Sequence, residues 1–144
     1  MDNKGRWLTI CWEDKFDELA NIKRTEKDLH KGVLFIAPPF AEITLSDGFW
    51  VSLNNRFGTM FDMAEEEEIE NSILPNMVNE MKQLKNRKYN QTGYYEIKVG
   101  VQVQPEKKEI IKKISFEEFK NSIDKLCGFF LDAYHRNKNV IVIL

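Results

Sequence analysis

SFEEFKNSIDKLCGFFLDAYHRNKNVIVIL, residues 115–144, joins two elements of different period. Ser115-x-x-Glu118 has the form of a capping box, in which the hydroxyl accepts from a free amide of the first helical turn. Phe119, Ile123, Leu126, Phe130 and Ala133 then recur at steps of three and four, the spacing of one buried helix face. Asn137-Lys138-Asn139 turns the chain, and VIVIL (140–144) is apolar enough to be a central strand. A long amphipathic helix that feeds a buried strand needs a sheet to pack on, and the remaining elements are read with that in mind.

YYEIKVGVQVQ (94–104) alternates strictly, with Tyr95, Ile97, Val99, Val101 and Val103 on one side and polar groups on the other. One wet face argues for antiparallel pairing there. EIIKKIS (109–115) returns as its partner across the charged PEKKE connector. RWLTICW (6–12) reads as a first strand and VLFIA (33–37) as a strand buried on both faces, stopped by Pro38 and Pro39. EITLS (42–46) alternates and reads as another strand. Between RWLTICW and VLFIA, Phe16, Leu19 and Ala20 behind Asp14 mark a helix that fades around Lys27 to Lys31. For residues 46–61, Asp47-Gly48 is a hairpin signal. Helical spacing of Phe49, Leu53 and Phe57 outweighs it, so a helix is expected. Asp62-x-x-Glu65 opens a further helix, and Pro75, costly in a helix interior, divides it into 63–73 and 75–87.

These elements predict one α+β domain over residues 1–144, with a mixed or mainly antiparallel sheet and helices packed on one side. A chain of 144 residues buries a core without disulfide or metal staples. Cys11 and Cys127 sit in apolar periodic segments, the expected setting of buried free thiols in a reducing compartment. No apolar run reaches the ~18 residues of a membrane span, and MDNKGRW starts no signal-peptide core. The expected location is cytoplasmic and the expected state a monomer or weak homo-oligomer.

Net charge is -2, but the charge is sorted along the chain. Phe57 to Met81 holds seven acids and no base, whereas Lys82 to Lys113 holds nine bases and three acids, a net of +6. In the basic half Glu106 and Glu109 interleave with the lysines, the pattern of a solvated face and not of a nucleic-acid site. Phosphate-binding, dinucleotide-binding and zinc-protease motifs are lacking, and Cys11, His30, Cys127 and His135 are scattered singly. No cofactor or metal is expected, and His135 or Cys127 is the only opening for a small enzyme.

The acidic run FDMAEEEEIENSILPNM (61–77) is the main functional clue. Read as a helix, it brings Glu66 and Glu70 into line with Ile73 and Met77, while the other glutamates splay around the axis. Phe57, Met60, Phe61 and Met63 lie beside it, aromatics and methionines of the kind that anchor interfaces. Asp62, Glu66, Glu67 and Glu70, with Phe57, Phe61 and Met63, are therefore the candidate partner-binding residues.

The chain also resembles bacterial immunity proteins, which neutralise toxins in contact-dependent growth inhibition and other polymorphic toxin systems. The likeness is one of general type: a small domain rich in Lys, Asn, Ile and Glu, without a catalytic motif, in which DGFWVSLNNRFGTMFDMAEEEE (47–68) runs from aromatics into acids. It implies a non-enzymatic protein that binds a cognate toxin, with an acidic surface suited to a cationic, nuclease-type one. A regulatory or scaffold domain with a different partner is the remaining alternative.

Overall fold

The computed structural model describes residues 5–25, 31–62, 66–103 and 105–144. In chain order these form β1 (Leu8–Trp12), a 3-10 helix (Glu13–Asn21), β2 (Val33–Ile36), α1 (Phe40–Ser46), α2 (Phe49–Phe57) and β3 (Glu66–Ile69). A 3-10 turn (Asn71–Ile73), α3 (Leu74–Lys88), β4 (Tyr94–Gln102), β5 (Lys108–Ser115), α4 (Phe116–His135) and β6 (Val140–Ile143) follow. The main sheet runs β2-β1-β6-β3, and β4 and β5 form a separate two-stranded ribbon. Every pair is antiparallel.

β6 is central, as its unbroken apolar run demands. It pairs with β1 through Thr9↔Ile143 and Ile10↔Val142, and with β3 through Glu67↔Val142 and Ile69↔Val140. One face of the sheet presents Leu8, Ile10, Val140 and Val142 to the side chains of α1 to α4. That layer is dense in aromatics: Phe40, Phe49, Trp50, Tyr89 and Phe119 are almost wholly buried, and each such side chain contributes about 1.5–3 kcal/mol. The opposite face carries a smaller cluster, Cys11, Val33 and Phe35, covered by Phe16, Leu19 and Ile22.

α4 follows its sequence signals closely. Ser115 Oγ accepts from the amide of Glu118 at 3.1 Å, and Phe119, Ile123, Leu126, Phe130 and Ala133 are all fully buried. Asn71 closes the far end: its Nδ2 donates to the carbonyls of Ala133, Tyr134 and Lys138 at 3.0–3.3 Å. Pro75 sits in the first turn of α3, where its missing N–H costs nothing. The helix expected within residues 46–61 is α2, entered through Gly48 in the left-handed region.

Three expectations are corrected. The helix behind Asp14 is a 3-10 helix that ends at Asn21. EITLS is part of α1, not a strand. Alternation would bury only Ile43 and Leu45, whereas the helix buries Phe40, Ala41, Ile43 and Thr44 together, and the Thr44 hydroxyl is satisfied by the carbonyl of Phe40 at 2.7 Å. The third correction concerns residues 63–73, where no α-helix forms among the described residues; Glu66–Ile69 is a strand and Asn71–Ile73 a single 3-10 turn. A helix there would leave the outer edge of β6 without a partner for its backbone groups, in a strand whose side chains are buried. Pairing with β6 outweighs the weak β preference of glutamate. The expected cap residue Glu65 lies outside the described residues.

Candidate functional site

β3 is the outermost strand on its side of the sheet, with no further strand beyond it among the described residues. Strand geometry, not a helical wheel, therefore sorts its side chains. Ile69 is fully buried on the face shared with Val140 and Val142, and half-buried Glu67 lies on that same face. Glu66 and Glu68 point the opposite way, level with Ile143 and Ile141, and are exposed. Glu70 follows the strand, also exposed, and its carbonyl accepts from the amide of Ile73 at 3.2 Å.

The acidic surface continues onto the 3-10 helix. Asn139 Nδ2 donates to Glu68 Oε2 at 3.3 Å and to Glu13 Oε2 at 3.4 Å, so two carboxylates converge on one neutral amide. Lys138 is close in sequence but is held elsewhere: its Nζ donates to Asp14 Oδ2 at 2.6 Å. That hydrogen bond holds the Asp14 carboxyl below its ordinary range. Burial, with the charges of Asp14 and Glu66 behind it, pushes the thiol of Cys11 up to about 12.

The carboxylates of Glu66, Glu67 and Glu70 meet no cation among the described residues. The basic half of the chain is matched to other acids. Lys85 pairs with Asp124 at 2.7 Å, Lys112 with Glu42 at 3.4 Å, and Lys88 with Asp47 at 3.8 Å. None of these three ion pairs joins the two opposite charge blocks of the sequence.

The expected aromatic anchors are placed differently. Phe61 is buried against Trp50, ring centroids 4.9 Å apart, and its backbone N–H and carbonyl are both held by the Asn54 side chain at 2.8 and 2.9 Å. It is a core residue. Phe57 is half-buried at the end of α2, with the Arg56 guanidinium 5.8 Å from its ring centre. Met60 is the exposed apolar side chain of the group, at 69%. Asp62 is exposed, and Met63 lies outside the described residues. The alignment of Glu66 and Glu70 with Ile73 and Met77 disappears, because these residues no longer share a helix. Glu13, Glu68 and Asn139 were missed; only the register of β3 on β6 brings them together.

The side chains considered for chemistry stand apart. Cys127 is 3% exposed, and burial raises its thiol to about 11, so it is protonated near neutral pH. His135 is exposed at the end of α4, its ring 5.6 Å from that of Tyr134. His30 lies outside the described residues. Among the described residues no helix is long and apolar enough to cross a membrane. Comparison with protein-family models, with curated proteins and with solved structures finds no match to this chain.

Proposed function

We propose that the chain is a binding protein of the toxin-immunity type, which neutralises a cationic protein by taking a basic segment of it along the β3 edge. One observation carries this reading. Glu66, Glu67, Glu68 and Glu70 line an open sheet edge, and no cation of the described chain is paired with them. An edge strand offers unpaired backbone groups, so an extended segment gains main-chain hydrogen bonds there. Carboxylates on both faces of that strand attract lysine and arginine from solution and disfavour acidic or apolar competitors. For a nuclease-type toxin, the same surface competes with nucleic acid for the toxin's basic groups.

Expressing the chain together with the protein encoded beside its gene tests the proposal. The expected neighbour is a large secreted protein with a toxic C-terminal domain, and growth arrest by that domain should be relieved by this chain. Charge reversal at Glu66, Glu67 and Glu70 should remove most of the protection and flatten the salt dependence of binding. Protection unchanged by the triple reversal would remove β3 from the interface, and failure of the native chain to protect would end the immunity reading.

A further inference from the structure

A cleft of 740 Å³ opens where β1 begins and β6 ends, walled by α1 on one side and by the β4-β5 ribbon on the other. Its volume is in the range of small-molecule sites, about 300–1,000 Å³. Leu45, Val99, Ile110 and Ile143 supply apolar wall, and Thr9 and Ser46 supply hydroxyls.

The charges in the wall are unequal. Arg6, Arg24 and Lys112 line the cleft against one acidic side chain, Glu42. Glu42 is already engaged: Oε1 accepts from the amide of Arg6 at 3.1 Å, and Oε2 pairs with Lys112 at 3.4 Å. Gly5 closes over it, with so little room that an added Cβ would lie 2.7 Å from Oε1. Arg6 turns its guanidinium to the carbonyl of Leu144 at 3.0 Å. Arg24 makes no hydrogen bond or ion pair with the described residues, so one guanidinium of the wall is left over.

We propose that this cleft binds an amphipathic carboxylate, its head group on Arg24 and its apolar body against Leu45, Val99, Ile110 and Ile143. Among the described residues Arg24 is the guanidinium of the wall that no group engages, and its planar fork matches a carboxylate in bidentate geometry. A phosphate dianion would need a second free cation, and Lys112 and Arg6 are both engaged. The apolar wall gives the body of the ligand somewhere to leave water. The site stands apart from the β3 reading: its lining includes none of Glu66, Glu67, Glu68 or Glu70, and it takes a small molecule where β3 takes a protein.

Decanoate and decanol, alike in apolar body and different in charge, test the proposal by calorimetry and amide NMR on the full chain. Decanoate should bind saturably with a Kd below about 1 mM, and decanol at least about tenfold more weakly. Amides of Thr9, Val99 and Ile143 should shift on binding. Arg24→Gln, at an exposed side chain without a partner among the described residues, should bring decanoate down to the level of decanol and leave decanol unchanged. Ile110→Glu, which sets a carboxylate in the apolar wall, should weaken decanoate by a further factor without unfolding a side chain that is already 39% exposed. Equal binding of the acid and the alcohol, no saturable binding, or full decanoate affinity in Arg24→Gln would each overturn the assignment.

Discussion

Tyr89 donates its hydroxyl to Asp47 Oδ2 at 2.5 Å, and Tyr95 brings a second hydroxyl to the same oxygen at 3.0 Å. Asp47 Oδ1 accepts from the amide of Phe49 at 2.9 Å, and only 2% of its side chain is exposed. One carboxylate thus joins the turn between α1 and α2, the end of α3 and the root of the ribbon. Asp47→Ala should cost about 2–4 kcal/mol, because it leaves two partly or wholly buried hydroxyls without an acceptor. Tyr95→Phe should cost about 1 kcal/mol, since Tyr89 still occupies the oxygen. Urea unfolding at neutral pH measures both, and equal losses for the two variants would refute the shared-acceptor picture.

The same network makes stability sensitive to alkali. Burial first, and then Asp47, raise the hydroxyls of Tyr89 and Tyr95 above their ordinary value of 10.0. Burial likewise raises Cys11 to about 12 and Cys127 to about 11, from 9.0. All four groups are neutral below their unfolded values, so their contribution is complete there. Above about pH 9 for the thiols and about pH 10 for the phenols, the unfolded chain releases protons that the folded chain keeps. Stability then falls by about 1.4 kcal/mol per pH unit for each titrating group. Urea midpoints between pH 8 and pH 11.5 should therefore drop progressively, and less steeply in Tyr89→Phe. A flat profile would contradict the burial of these groups.

Two glycines make a matched pair of opposite sign. Gly32 has φ +80°, and a Cβ there would lie 2.6 Å from the ring of Trp12, while its carbonyl accepts from the Trp12 amide at 2.9 Å. Gly32→Ala combines left-handed strain with a clash against a buried indole and should cost more than about 2 kcal/mol. Gly128 lies inside α4 on an exposed face, with nothing within 4 Å of an added Cβ. Gly128→Ala should stabilise the protein by about 0.5–1 kcal/mol through helix propensity and a stiffer unfolded chain. Thermal unfolding of the two variants separates them in direction as well as size.

Sequence signals that depend only on neighbouring residues were legible. The Ser115 cap, the apolar stripe of α4, Pro75 at the head of α3 and the alternation of β4 as far as Ile97 all act within a turn or a strand. Past that point a bulge between Lys98 and Gly100 shifts the register, so Val101 and Val103 leave the face of Tyr95 and Ile97 and are exposed. Those that depend on a distant partner were not. Glu66–Ile69 has helix-favouring composition, yet it is a strand because β6 has an edge to fill, and nothing within the run encodes that demand. EITLS alternates, yet Phe40 and Ala41, just before it, complete a helical face against the core. The candidate site inherited both effects. The acidic residues were found, but their sorting onto two faces, the burial of Phe61 and the approach of Asn139 all follow from pairing across 70 residues or from core packing. The cleft was hidden for the same reason, since Arg6, Arg24, Glu42 and Lys112 meet only after β1, α1 and the ribbon are in place.

The glutamates of β3 also have a task that requires no partner. An open sheet edge is a template for a second copy of the same chain, and like charges along it oppose that pairing. Replacing Glu66, Glu67 and Glu68 with Thr raises β propensity, keeps Ile69 in the core and removes the repulsion. The variant should pair more firmly with β6 while gaining a concentration-dependent dimer in sedimentation experiments, where the native chain stays monomeric. Salt separates repulsion from shape. The screening length shrinks from about 10 Å at 0.1 M to about 3 Å at 1 M, so the native chain should begin to associate at high salt while the variant changes little. A variant that stays monomeric at every salt concentration would mean that shape, and not charge, guards the edge, leaving the carboxylates with binding as their remaining role.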